Sequence, residues 1–414
     1  MIPRSHILSL TLLSTALVAP LAAQTLEPPF DVDYSYIDLG AVTGVPGNLG
    51  GLTFLASDPN TLLIGGSANT GSGAIYSVPV TRGPLGHITA LGTATLFATC
   101  PNIDGGLTYG PGGVLFATGY SNNTLLQFLP GSTAPDLVTN LGTFGIGGSV
   151  GTCTFVPAGW PGSGQFKVAS YSANTWHTVD ITANAAGTYD VQGATAGIAI
   201  SGGPEGILYP PPGSPQLPDF STVIVSEYSS GSIAVYDLDA NGDPIAATRR
   251  PMMTGLSGAE GAVVDPVSGD MLFSTFGGGN RVIVVTGFAA CGFYQTYGLG
   301  CGGASGAPQI AGTGCPVPGA PITIDITAGP PNAMGALGLG YQMANVPIVN
   351  CTLLIDVSPT VTMVLDASGA GSYATTIPNN PLFHQWHGYW QAGFFDAGAP
   401  FGVSATAGLE LLVQ

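Results

Sequence analysis

The apolar positions of residues 27–288 follow the period of β-strands. Runs of β-branched and aromatic residues alternate with short turns rich in Gly, Asn and Ser, and long helical periodicity is absent. Such runs, separated by tight turns, are typical of antiparallel hairpins. The clearest hairpins begin at Leu62, Val114, Phe166, Val223 and Met271. The pattern therefore predicts an all-β fold.

Five copies of a longer unit organise this region. Their apolar first strands begin at Gly51, Gly106, Thr152, Gly206 and Gly261. The intervals between these positions are 55, 46, 54 and 55 residues, and this is the repeat length of a β-propeller blade with about four strands. We predict a five-bladed propeller; a six-bladed propeller and a β-solenoid are the alternatives.

The two ends of the repeat region predict how the propeller closes. The fifth copy lacks a fourth strand, whereas residues 34–39 form a lone strand near the N-terminus. If this strand completes the last blade, the array has no exposed edge. The sequence thus predicts a β-propeller over 27–288 that is closed by its N-terminal strand.

The pattern changes at Cys291, where a Gly-rich linker precedes a second set of strands. Ile322, Ile324 and Ile326 alternate with polar residues and therefore share one face of a strand. A hairpin near Asp366 and several further strands follow. These features predict an antiparallel β-sandwich over 291–414, separate from the propeller.

Four stretches of this second module carry a family resemblance. Residues 297–301, 351–356, 366–369 and 377–381 are similar to a C-terminal accessory β-module found on many exported bacterial proteins. That family has no activity to transfer. The resemblance implies an accessory or surface role for the module.

The first residues indicate export. Arg4 precedes an apolar run over 7–13, and small residues follow over 20–24. A basic start, a short apolar stretch and a small-residue end are typical of a secretory signal peptide. We expect 1–23 to be removed and the mature protein to be secreted or on the cell surface of a bacterium.

The charge balance excludes two classes of partner. The chain has 6 Lys+Arg against 23 Asp+Glu, and only 7% of its residues are charged. Nucleic acid and anionic lipid both require a basic surface, so neither is an expected partner. Beyond the signal peptide the sequence has no apolar stretch long enough to cross a bilayer, and we expect no membrane insertion.

Six cysteines in an exported chain predict disulfides. We expect the pairs Cys291–Cys301 and Cys315–Cys351 in the sandwich and Cys100–Cys153 in the propeller, although six cysteines allow 15 pairings. No pair of them has the spacing of a zinc site.

Four acidic residues stand at corresponding ends of the repeat strands. Asp104, Glu205 and Glu260 come just before or at first strands, and Glu227 ends a second strand. In a propeller these positions lie on one face around the central channel, so we predict that they form a ligand-binding mouth. Converging carboxylates repel one another, and a hard cation such as calcium would relieve the repulsion, with Glu205 and Glu260 as its ligands. Solvated turn carboxylates are the alternative.

Glu205-Gly206 and residues 260–266 resemble the strand-initiating motif of calcium-dependent, six-bladed lactonases of the gluconolactonase type. The resemblance implies that Glu205 or Glu260 is a metal ligand. The Asn and Asp ligands of that family have no match in this chain.

The sequence contains no specific catalytic motif. We find no nucleophile elbow, in which G-x-S-x-G joins a strand to a helix, no H-E-x-x-H and no phosphate-binding loop. We therefore favour an exported, non-catalytic binding or surface protein that recognises a small molecule, a glycan or a surface protein through the propeller face. The alternative is a metal-dependent, lactonase-like hydrolase with its site at the channel mouth.

Overall fold

The computed structural model describes residues 24–83, 86–217, 220–288, 292–303, 306–349, 351–383 and 386–413. The predicted signal peptide, 1–23, and Cys291 lie outside these residues. Within them the fold is all-β, as predicted, and the helical segments span at most four residues. In this described part of the chain, no helix has the length and apolarity to cross a membrane.

The chain begins with β1 (Thr25–Leu26), the one-turn helix α1 (Phe30–Asp33) and β2 (Ser35–Ala41). Five antiparallel sheets follow, which we number I to V. Sheet I contains β3 (Leu52–Leu55), β4 (Asp58–Gly66), β5 (Ala74–Arg82), β6 (Ile88–Leu91) and β7 (Thr95–Thr99). Sheet II contains β8 (Ile103–Tyr109), β9 (Leu115–Gly119), β10 (Thr124–Phe128) and β11 (Leu137–Asn140).

Sheet III contains β12 (Val150–Phe155), β13 (Phe166–Ser170), β14 (Thr175–Ala183), β15 (Tyr189–Ala194) and β16 (Ile198–Ala199). Sheet IV contains β17 (Pro204–Leu208), β18 (Thr222–Glu227), β19 (Ser232–Asp237) and β20 (Arg250–Thr254), and β1 pairs with β20. Sheet V contains β21 (Ala259–Val264), β22 (Met271–Thr275) and β23 (Arg281–Thr286). Short 3-10 turns occupy Pro111–Gly113, Leu141–Phe144 and Ala246–Thr248.

The N-terminal strand β2 completes sheet V. It pairs antiparallel with β23, from Ser35 opposite Thr286 to Ala41 opposite Arg281. This is the pairing that the sequence predicts. It covers the outer edge of β23 and joins the start of the chain to the last of the five sheets.

The five sheets pack face to face in chain order. Their first strands β3, β8, β12, β17 and β21 contact one another in sequence, and β21 also contacts β3. A separate apolar cluster fills each interface, and the cluster between sheets V and I contains Leu52, Leu62, Leu272 and Val284. Because both faces of these sheets are covered, the second strands β9, β13, β18 and β22 are buried along their whole length.

Residues 293–412 form two further sheets. The larger contains β24 (Phe293–Tyr297), β27 (Met334–Ile348), β28 (Cys351–Val364), β30 (His387–Phe395), β31 (Val403–Ala405) and β32 (Gly408–Leu412). The smaller contains β25 (Gln309–Thr313), β26 (Pro321–Thr327) and β29 (Gly371–Thr376). Short 3-10 turns occupy Pro381–Phe383 and Pro400–Gly402. Ile322, Ile324 and Ile326 are buried in one core with Trp390 and Phe394, so the predicted alternation is confirmed.

The cysteines correct the predicted pairing. Cys301 is bonded to Cys351, with 5.4 Å between their Cα atoms. The predicted pairs Cys291–Cys301 and Cys315–Cys351 are therefore wrong, although Cys315 is also in a disulfide.

The predicted Cys100–Cys153 bridge is also wrong. Both thiols are free and buried. Cys100 packs in the apolar cluster between sheets I and II, whereas Cys153 packs in the cluster between sheets II and III. The body of sheet II therefore separates the two side chains.

Candidate functional site

Three carboxylates meet where the first strands of the sheets come together. Asp104 lies on β8, Glu205 on β17 and Glu260 on β21. At each of these residues the pairing with the second strand shifts by at least one position. Such irregularities bend a strand and redirect its side chains, and here they accompany all three carboxylates, which we call the central cluster.

Glycine on the neighbouring sheets makes room for Glu205. Gly105 and Gly151 stand at the corresponding positions of β8 and β12, and a Cβ atom on them would lie 2.9 and 2.6 Å from Glu205 Oε2. A Cβ on either residue would also lie within about 2.1 Å of a backbone oxygen. Side chains at these two positions are therefore excluded, and the centre is left to carboxylates.

The central cluster is compact and almost completely buried. One oxygen from each carboxylate can be chosen so that all three lie within 4.8 Å of one another. Asp104, Glu205 and Glu260 are 0%, 2% and 1% exposed. Both oxygens of Asp104 and of Glu260, and Oε2 of Glu205, have no hydrogen-bond partner. Buried polar groups are normally paired, so these oxygens are an exception that requires an explanation.

Burial raises the pKa of all three groups. The pKa of Asp104 rises to about 8, despite the opposing effect of the nearby Glu260 carboxyl and Asn69 amide. The pKa of Glu205 and that of Glu260 rise well above the usual range, because of burial first and the neighbouring carboxylates second. Removal of water and proximity of like charge both disfavour the ionised form.

No basic side chain of the described residues neutralises the cluster. Each of the five lysine and arginine side chains in the described residues forms an ion pair with a carboxylate outside the cluster. The pairs are Arg82–Asp265, Lys167–Asp243, Arg249–Glu227, Arg250–Asp237 and Arg281–Asp38. The charge of the central cluster must therefore be balanced by protons or by a cation from solution.

The structure places Glu227 in a different environment. Its carboxylate is fully buried and receives hydrogen bonds from Arg249 Nε at 2.8 Å and Arg249 Nη2 at 2.5 Å. Ser230 Oγ donates to it at 2.8 Å, and the Tyr236 hydroxyl donates as well. Of the four acidic residues predicted at the mouth, three come together, and the fourth is held by its own ion pair.

Four aromatic residues near the cluster were not part of the sequence prediction. The first residue after the second strand is Tyr120, Tyr171, Tyr228 or Phe276 in sheets II to V, and Ser67 in sheet I. Successive ring centroids are 5.9, 5.5 and 5.9 Å apart, with interplanar angles of 70°, 84° and 69°. We call these four residues the aromatic collar. Aligning the five hairpins by strand end would have revealed the shared aromatic position.

No protein-family model and no curated protein matches the chain. Solved structures give a weak similarity to gluconolactonase-like and other β-propeller proteins. A putative 6-phosphogluconolactonase from Bacteroides uniformis matches at 13% identity and a TM-score of 0.34, covering 82% of this chain and 90% of that one. A putative gluconolactonase matches at 11% identity and a TM-score of 0.33, covering 64% of this chain and 99% of that one. The β-propeller domain of Myceliophteria thermophila Cps50 matches at 8% identity and a TM-score of 0.29, covering 91% of this chain and 100% of that one.

Proposed function

We propose that the protein is an exported binding protein whose site is the central cluster, and that the cluster holds a divalent cation, calcium in the first place. The observation that carries the proposal is the set of five buried carboxylate oxygens without a hydrogen-bond partner. Leaving such groups unpaired is costly, and a bound cation would satisfy them.

Calcium matches the donor set and its spacing. All three side chains are carboxylates, and Ca²⁺ prefers oxygen ligands at about 2.3–2.6 Å. Two oxygens on opposite sides of such an ion are at most about 5 Å apart, and the three chosen oxygens of the cluster all lie within 4.8 Å of one another. Asn69 lies beside Asp104 and adds a buried, unpaired amide oxygen.

The fold that we propose around this site is a five-bladed propeller with sheets I to V as its blades and β2 as the closing strand. The two sheets over 293–412 would then form the accessory sandwich, and the signal peptide would direct export. The cyclic contacts of the first strands and the apolar clusters between neighbouring sheets support the propeller.

The lactonase-like hydrolase is the second candidate, and the burial of the cluster argues for binding over it. A metal that polarises a substrate carbonyl must be reached by that substrate, whereas the carboxylates here are at most 2% exposed. Hydrolysis of glucono-δ-lactone by the purified protein, lost in Glu205→Gln, would favour the hydrolase.

Calcium titration of thermal stability tests the proposed site. A ligand that binds only the folded state stabilises it by about 2.7 kcal/mol at 100 times its Kd, so the melting temperature of chelator-treated protein should climb with calcium. Glu205→Gln combined with Glu260→Gln should remove that increment and leave the fold intact. Asp180→Asn, which changes an exposed carboxylate of β14, is the matched control and should keep the increment. Melting of the wild type that does not depend on calcium would reject the cation site.

A further inference from the structure

The aromatic collar lies beside the central cluster. The Tyr171 ring packs on Gly203 and the Tyr228 ring on Gly258, where a Cβ atom would approach the rings to 2.8 Å. Each of these glycines has a positive φ and comes two residues before a glutamate of the central cluster, Glu205 or Glu260. Each ring therefore covers the chain segment that leads into a carboxylate of the cluster.

The electrostatics agree with this position. The pKa of Tyr228 is raised first by burial and then by Glu260, Tyr171, Glu205 and Asp104. The three carboxyl groups of the cluster are therefore close enough to Tyr228 to affect its ionisation. The collar residues are only partly buried, so their outer surfaces remain accessible to a ligand.

Around the collar the chain is polar but almost uncharged. The turns that follow the four rings consist of Ser, Asn and Gly with one Ala. The hydroxyls of Tyr120, Tyr171 and Tyr228 have no hydrogen-bond partner among the residues that the structure describes. Because every basic side chain there is paired elsewhere, the mouth combines aromatic faces, free hydroxyls and an acidic floor without an opposing positive charge.

We propose that the collar binds a substituted ammonium group, such as a trimethylammonium head, as the organic ligand of this protein. Aromatic faces attract such cations, and a desolvated contact contributes about 2 kcal/mol or more. A quaternary ammonium needs no hydrogen-bond acceptor, so it can stay in the collar while the carboxylates remain buried beneath it. The net charge of −17 adds a long-range attraction for cations.

The inference rests on the proposed function for the location of the site, and it adds a coupling to the metal. Calcium and the ammonium group would occupy neighbouring parts of one acidic site. Any effect of one cation on the binding of the other should be reciprocal and of the same factor.

The test compares choline with 3,3-dimethyl-1-butanol, which has the same shape without the charge. Calorimetric titration of the full-length mature protein in chelator should show choline binding at least 10-fold tighter than the neutral isostere. Tyr171→Ala and Tyr228→Ala should each weaken choline binding about 10-fold, whereas Tyr171→Phe, which keeps the ring, should retain it. Tyr341→Ala removes a tyrosine that is 54% exposed in the second module and should have no effect.

The outcomes separate this inference from the proposed function. Equal affinity for choline and its isostere, no binding of either, or a preference for neutral sugars such as glucose would overturn the ammonium site. If calcium still raises the melting temperature in that case, the cation site stands without it. Choline binding in a protein whose melting ignores calcium would reject the metal and leave the collar.

Discussion

Two buried acidic regions of this protein begin from the same kind of sequence and reach opposite electrostatic solutions. Glu205 is the second residue of the first strand of sheet IV and Glu227 ends its second strand, and both are at most 2% exposed. Glu227 meets Arg249, Ser230 and Tyr236, whereas Glu205 meets two other carboxylates. Burial is therefore common to both regions, and what distinguishes them is the charge partner that Glu227 has and the central cluster lacks.

Removing the partner of Glu227 should cause the largest loss in the free energy of unfolding. Arg249→Ala leaves a fully buried carboxylate without its cation, and loss of one partner of a buried pair costs about 3–5 kcal/mol. We expect this loss in the free energy of unfolding from urea denaturation. Arg249→Lys, which keeps the charge, should recover part of it. If Arg249→Ala unfolds at the urea concentration of the wild type, Glu227 is not held by this pair.

At the central cluster we expect substitution to raise the free energy of unfolding instead of lowering it. In the absence of metal, Asp104→Asn with Glu260→Gln removes two groups whose ionisation burial opposes. Stability in chelator at pH 8.5 should therefore rise by at least about 2–3 kcal/mol, because each pKa unit corresponds to about 1.4 kcal/mol and burial raises the pKa of Asp104 to about 8. The same variant should lose the stabilisation by calcium. A variant that is less stable than the wild type in chelator would show that the carboxylates serve the fold.

The pH dependence of stability should differ between metal-free and calcium-loaded protein. The folded-state pKa of Asp104 is about 8 and its unfolded value is about 4, so the unfolded state releases this proton first. Stability is then fully present below about pH 4 and is lost as pH rises through about 8. In chelator we expect Asp104 alone to account for a loss of about 2 kcal/mol between pH 6 and 8. Calcium should flatten the profile, and a flat profile in chelator would contradict the raised pKa.

The repeat explains which parts of the site the sequence could predict. Glu205 and Glu260 each precede the glycine of an aligned first strand, and Asp104 precedes the glycine pair of another, so equivalent positions in the sheets bring them together. Arg249 follows a connection between strands that differs from copy to copy. Its pairing with Glu227 therefore leaves no periodic signal in the sequence.

The cysteines show a second limit of sequence interpretation. A count of six is even, yet two of the thiols are free. Disulfide pairing depends on distances between Cα atoms across the sheets, and the spacing along the chain does not determine these. Cys301 forms a bridge with Ala405, and Cys351 Sγ lies 3.9 Å from the carbonyl oxygen of Val403 on the same strand, so β31 brings the two cysteines together.

The smallest effect is expected at a third acidic residue, Asp237, which is paired with a cation but is not buried. Asp237 Oδ1 lies 3.2 Å from Nη2 of Arg250, the residue after Arg249. The side chain of Asp237 is 46% exposed and that of Arg250 is 38% exposed. Water solvates both ions, so an exposed pair contributes only about 0–1 kcal/mol. Asp237→Asn should therefore lower the free energy of unfolding by about 0.5 kcal/mol or less, and 1 M salt should remove most of that difference. A loss as large as that of Arg249→Ala would mean that the ion pair itself, rather than its burial, determines the energy. The contrast between Glu227 and the central cluster would then need another explanation.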